Sequence, residues 1–170
     1  MRSLARPFLW LIVSAAMMVC ACATVGGQRI RVPGNQTKVY VSVFVDQTER
    51  GEVGLPLTQA IQLAIWERDR SALALSFEQD ALAIDGTVLA LEDVALAHKE
   101  RQLRLRMKAH LVDKKGDEVL TLRTAESRAV YSVASDREKT ESRRQNALNK
   151  AISDMAQHVV RSIDEAARTR

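Results

Sequence analysis

Polar and apolar residues alternate most regularly between Gln102 and Leu111. Leu103, Leu105, Met107, Ala109 and Leu111 alternate with Gln102, Arg104, Arg106, Lys108 and His110. A period of two puts the first set on a core and the second on the opposite face of a sheet. Asp113-Lys114-Lys115-Gly116-Asp117 then reads as a hairpin turn, and a strand from Glu118 to about Val133 follows, with irregular alternation near Thr124 that suggests a bulge. Earlier, Val39, Val41, Val43 and Val45 alternate with Tyr40, Ser42, Phe44 and Asp46. These β-branched residues predict a strand over 38–45 with both faces largely buried. Residues 81–91 suit a helix by their Ala and Leu content, but Gly86-Thr87-Val88 favours a strand, with Gly86 marking a bulge or a close backbone approach. Leu73–Phe77 has the makings of a short additional strand.

Two stretches follow the helical period instead. Leu57, Ala60, Ile61, Ala64, Ile65 and Arg68 predict a helix over 56–69, with Pro56 in its first turn and Trp66 at its edge. Ala147, Leu148, Ala151, Ile152, Met155, Val159, Ile163 and Ala166 predict a long helix over 136–167, opened by a capping box of Ser135 and Glu138. The order is β-α-β-β-β-α. The first β-α-β implies parallel strands and the rest an antiparallel meander. One apolar stripe on each helix predicts an α+β fold of two layers, a four-stranded mixed sheet with two helices on one face.

The N-terminus breaks from this pattern. Arg2 and Arg6 precede an apolar run from Phe8 to Val19 that ends in Val19-Cys20-Ala21-Cys22. A spanning helix needs roughly 20 apolar residues, so this shorter run with a charged flank reads as an export signal. The four residues at its end resemble the bacterial lipobox. Cys22 fits best as the lipidated residue, because small Ala21 precedes it; Cys20 follows bulky Val19 and fits less well. The predicted organisation is a lipoprotein signal over 1–21, a lipid-anchored tether over 22–37 with breakers at Gly26-Gly27 and Pro33-Gly34, and one domain over 38–170. Ala23, where an aspartate would favour retention at the inner membrane, points to the outer membrane.

Composition narrows the chemistry. The chain carries a net charge of +4, and two of its bases, Arg2 and Arg6, fall in the leader. The remainder is only slightly basic, which gives no argument for nucleic acid. With Cys20 removed and Cys22 lipidated, no thiol remains for a disulfide, a nucleophile or a metal. His98, His110 and His158 lack metal-ligand spacing. No nucleophile elbow or phosphate loop occurs, so no enzyme and no cofactor is expected. The feature that could bind something is the polar side of the third strand, Arg104, Arg106, Lys108 and His110, with Lys99 and Arg101 just before it. Arg presents a planar donor fork that matches phosphate. The competing reading is a solvated face balanced by Glu92, Asp93, Glu118 and Glu126.

Taken together, Val41–Thr48, the helix from Leu57 to Trp66, Asp80 through Gly86-Thr87-Val88, the basic strand ending Leu111-Val112-Asp113, Tyr131-Ser132-Val133 and the terminal helix resemble the LptE-like family of lipopolysaccharide-assembly lipoproteins. The resemblance spans about residues 38–165. The family commonly has Gly and an aromatic after the lipidated cysteine, where this chain has Ala23-Thr24. The resemblance implies a non-enzymatic protein at the periplasmic face of the outer membrane. It would be a plug and assembly partner of the LptD barrel and would contact lipopolysaccharide. A pilotin or transport-auxiliary lipoprotein of another trans-envelope complex would use a similar domain, and so would a structural lipoprotein without a lipid ligand.

Overall fold

The computed structural model describes residues 29–33, 36–77 and 80–168. The export signal, Cys20 and Cys22 lie outside the described residues. The chain runs through β1 (Lys38–Val41), β2 (Val45–Asp46), α1 (Gly54–Arg68), a 3-10 turn (Arg70–Ala72), β3 (Ala81–Ala95), β4 (Glu100–Val112), β5 (Glu118–Ser132) and α2 (Arg137–Arg168). β1 and β2 both pair in parallel with one edge of β3. β3, β4 and β5 form an antiparallel meander. The α+β fold and its element order are as the periodicity predicts, with the first strand in two pieces.

That split has a local cause. Val39 and Val41 are buried against the helices, whereas Val43 and Val45 are exposed and Phe44 is buried instead. The backbone changes phase between Val41 and Val45, and Ser42 and Gln47 still donate to β3 carbonyls on either side of the break. The turned Phe44 ring lies over Gly86, where a Cβ would come within 2.1 Å of Phe44 Cε1. Gly86 is therefore a close-approach glycine. The bulge in β3 comes three residues later, where the register shifts between Val88 and Ala90. Past it the inward positions change parity, so Leu91 and Asp93 face the helix side. β3 also runs on to Ala95, beyond the predicted end at Leu91.

β4 behaves as its alternation dictates. Leu103, Leu105, Met107, Ala109 and Leu111 are all buried, and β5 has an extra residue between Ala125 and Leu122, opposite Lys108. Asp113 organises the hairpin: its Oδ1 accepts from Lys115 N at 2.8 Å and Asp117 N at 2.9 Å, and Gly116 has φ +85°. Leu73 bridges Val39 at one position, and no longer strand forms over Leu73–Phe77. α2 is capped by Asp136, whose Oδ1 accepts from Glu138 N at 2.9 Å, rather than by the expected Ser135.

α1 starts two residues before Pro56 and has no cap of its own at Val53. Its free N–H groups are met from outside. Asp46 Oδ2 accepts from Val53 N at 2.7 Å and Gly54 N at 2.8 Å, and Oδ1 accepts from Thr48. Unpaired first-turn amides are what such a carboxylate satisfies. Leu57, Ile61 and Ile65 bury one side of α1. The other side is mixed, since Leu55, Leu63 and Trp66 lie exposed there beside Gln59 and Glu67; the expectation of one apolar stripe per helix holds for α2 alone.

Residues 29–33, at the end of the expected tether, dock on the domain. Ile30 is buried and its N–H donates to Asp69 Oδ2 at 3.2 Å. Arg31 N–H donates to Asp164 Oδ1 at 3.3 Å. Asp164 also pairs with Arg68 at 2.6 Å and Arg168 at 2.8 Å, so both helices end at the pole where this segment joins.

Candidate functional site

The open face of the sheet, opposite the helices, carries Arg104, Arg106, Lys108 and His110; Lys99 lies in the β3–β4 turn and Arg101 turns to the helix side, where it pairs with Asp93. Register sets their neighbours. Arg104 stands between Glu92 and Arg128, Arg106 between Ala90 and Glu126, Lys108 beside Thr87, and His110 between Asp85 and Thr121. Successive outward side chains on β4 are roughly 6.6 Å apart. The structure thus brings Arg104, Arg106, Lys108 and His110 into one row, as period-two alternation requires.

The row is not bare. Arg106 Nη2 pairs with Glu92 Oε1, and Arg128 Nε pairs with Glu126 Oε1 at 2.5 Å. Arg104 Nε donates to Gln102 Oε1 at 2.8 Å. The hydrogen bond from Arg128, with Arg104 and Arg106 nearby, holds the Glu126 carboxyl below its usual range. Among the described residues Lys108 makes no salt bridge. The face is therefore a lattice of both signs with a small excess of cations. Exposed pairs of this kind contribute little to stability, which leaves them available for exchange with a partner's charges. Of the acids expected to balance the row, Glu92 and Glu126 do so. Glu118 takes Thr121 Oγ1 instead.

Asp93 is elsewhere, because the β3 bulge turns it to the helix side. There Tyr131 Oη donates to Asp93 Oδ2 at 2.7 Å and Arg101 Nε to Asp93 Oδ1 at 2.8 Å. Arg144 on α2 reaches Glu52 at 3.0 Å, Glu141 at 3.2 Å and Asp93 at 3.8 Å. Burial and the hydrogen bond to Asp93 push the Tyr131 phenol up to about 12. Of these groups Glu52, Asp93 and Arg144 line a cleft of about 430 Å³, with Gln47 and Glu49. Sequence reasoning missed this cluster. Glu52 and Arg144 stand 92 positions apart, and no local pattern joins them. Its members pair with one another, so the cluster clamps the loop after β2 to the sheet and to α2.

The three histidines are dispersed, in the β3–β4 turn, on the open face and on the exposed side of α2. Among the described residues no group of three metal-ligating side chains forms, and no helix is long and apolar enough to cross a membrane. Cys22 lies outside the described residues.

Residues 36–163 match the model of a family described as LptE, lipopolysaccharide-assembly. A comparison with curated proteins returned no match. Solved structures share the fold. Lipoprotein B from Nitrosomonas europaea aligns with a TM-score of 0.60 at 16% identity, covering 82% of this chain and 89% of that one. A minor lipoprotein from Acinetobacter baumannii aligns at 0.57 and 18%, covering 79% and 95%. The rare lipoprotein B from Shewanella oneidensis aligns at 0.56 and 12%, covering 76% and 97%.

Proposed function

This chain belongs to the LptE, lipopolysaccharide-assembly family, and from that premise we propose that it is an outer-membrane lipoprotein that pairs with the LptD barrel. It is anchored through Cys22, faces the periplasm, and serves the barrel as plug and assembly partner. The observation that carries the reading is the family match, which takes in every element from β1 into α2. The lipobox-like Val19–Cys22 and the lipoprotein neighbours support the anchor.

Within this reading the open sheet face is the contact surface. Arg104, Arg106, Lys108 and His110 present donors in a rigid row, and guanidinium groups match phosphate in a bidentate fork. The interleaved Glu92 and Glu126 suit a polar barrel wall, where each sign meets its opposite. A lipid A phosphate would take Arg106 from Glu92 and use the uncommitted Lys108.

The test is a pull-down of the full-length protein from solubilised envelope, with mass spectrometry of what accompanies it. A large lipopolysaccharide-translocon barrel is the expected companion. A secretin or an inner-membrane transporter in its place would overturn the function and favour an accessory lipoprotein of another complex. For the face, Arg104→Glu with Arg106→Glu should weaken lipopolysaccharide binding several-fold at low salt with the fold intact. Unchanged binding would remove the phosphate contact.

A further inference from the structure

We propose that the outward stripe of α1 and the connection after it, Leu63, Trp66, Arg70 and Leu75, form a membrane-contact surface that seats the domain on a phospholipid bilayer. The inference rests on Cys22 being the anchor.

The stripe is the first observation. Successive helix residues turn by about 100°, so Leu55, Gln59, Leu63 and Trp66 fall opposite the buried Leu57, Ile61 and Ile65. A helix at the surface of a two-layer fold ordinarily shows polar residues there. Here Leu63 is 53% exposed and Trp66 43%. Gln59, Gln62, Leu63, Trp66 and Leu73 line one shallow hollow, and Leu75, two residues on, is 94% exposed. Arg70 lies over the Trp66 ring, 4.0 Å from its centroid. A tryptophan with an arginine at its face has an apolar body and a charged tip, the form that suits the headgroup boundary.

The second observation is where the chain leaves the domain. The hydrogen bonds of Ile30 to Asp69 and of Arg31 to Asp164 pin the N-terminal segment at the C-terminal ends of both helices, one turn from Trp66. The seven steps from Cys22 to Arg29 reach at most about 25 Å. A lipid on Cys22 therefore keeps this pole within that reach of the headgroups.

Charge is the third. Arg29, Arg31 and Arg70 are exposed and make no salt bridge among the described residues. Two of the acids beside them are already engaged: Asp69 accepts from Ile30 and Ser71, and Asp164 takes Arg68 and Arg168; Glu67 is exposed on the same side of α1. The pole thus offers exposed apolar groups with three exposed arginines against one exposed glutamate, a net positive balance complementary to a phosphate-bearing apolar surface. A barrel wall would be matched by the mixed-sign sheet face instead.

The experiment uses the lipidated full-length protein in vesicles of phosphatidylethanolamine and phosphatidylglycerol. The chain has two tryptophans, Trp10 and Trp66. Removal of the signal leaves Trp66 as the sole tryptophan, excited selectively over Tyr40 and Tyr131. Flotation with vesicles reports the anchor, and quenching of Trp66 by lipids brominated on their acyl chains reports the contact. The expected result is flotation with strong quenching and reduced access to acrylamide. Arg70→Glu with Leu75→Glu should cut the quenching several-fold while flotation and circular dichroism stay unchanged. Flotation with Trp66 unquenched and open to acrylamide would overturn the contact and leave the anchor standing. Quenching at high lipid without flotation would remove the anchor and overturn the anchored seating that rests on it, leaving only an anchor-independent affinity; loss of both would overturn both. Shielding of Trp66 that appears only when a co-purified barrel is added would make the surface a protein interface and end the proposal.

Discussion

Gly86 and Phe44 show how much one residue can decide. The glycine inside an otherwise β-branched run is readable as a close approach, but its partner is not. Phe44 belongs by alternation to the opposite face from Val43 and Val45, and only the break in the first strand turns it under the helix layer. A methyl at position 86 must displace a buried ring. Gly86→Ala should therefore destabilise the fold by about 2 kcal/mol, in the range of overpacked cores. Adding Phe44→Leu should recover part of that loss in denaturant titrations; additive costs would show that the two residues do not share the space. The β3–β4 turn carries the reverse opportunity. His98 has φ +57° and Lys99 φ +65°, a left-handed pair that costs side-chain-bearing residues roughly 1 kcal/mol each and that hairpins usually fill with Asn-Gly. Lys99→Gly should stabilise the protein by about 0.5–1 kcal/mol despite the looser unfolded chain, read as a higher melting temperature.

At the scale of elements, periodicity located both helices and the strands around the meander's centre, Gly86-Thr87-Val88 decided β3, and capping was the weak point. Ser135 and Glu138 have the spacing of a capping box, yet it is Asp136 that caps α2, accepting from the Glu138 amide. Thr140 Oγ1 adds a bond from Ala134 N at 3.0 Å. α1 is capped from β2, by a carboxylate that leads the segment Asp46-Gln47-Thr48. Burial works against ionisation of Asp46, but the hydrogen bonds from Thr48, Val53 and Gly54 outweigh it and hold its carboxyl below the usual range. Asp46→Ala removes an acceptor for several amides at once. It should cost about 2 kcal/mol, the upper end for a lost cap, and hydrogen exchange should quicken in the first turn of α1 before the rest. Uniform protection across α1 in the variant would contradict this role.

At the scale of the molecule, two carboxylates tie the N-terminal segment to the helix ends. Burial opposes the charge on Asp164, yet the Arg31 amide and the Arg68 and Arg168 guanidinium groups hold its carboxyl low. At Asp69, burial is likewise outweighed by hydrogen bonds from Ser71, Ile30 and Ala72. A depressed folded-state pKa contributes stability that is complete above the unfolded value, about 4 for aspartate. That contribution is lost as pH falls through the lower folded value. The melting temperature should therefore hold at neutral pH and drop steeply below about pH 4. Asp164→Asn should lower stability by about 3 kcal/mol at neutral pH, as when one partner of a buried pair is removed, and flatten the acid limb. A variant with the wild-type acid profile would assign the pH response to other groups.

What the sequence by itself determined is what depends on near neighbours. The element order and the inward set of β4 follow from repeats of two or 3.6 residues, which backbone geometry imposes on any amphipathic segment. The basic row was legible for the same reason, since Arg104, Arg106, Lys108 and His110 share one strand. Tertiary structure alone decided what each charge meets across strands: Glu92 and Glu126 beside Arg106, Asp93 turned to the helix side by a single extra residue in β3. It alone joined Glu52 to Arg144 and Arg31 to Asp164, pairs 92 and 133 positions apart. Such contacts obey distance through space, and no period along the chain encodes it.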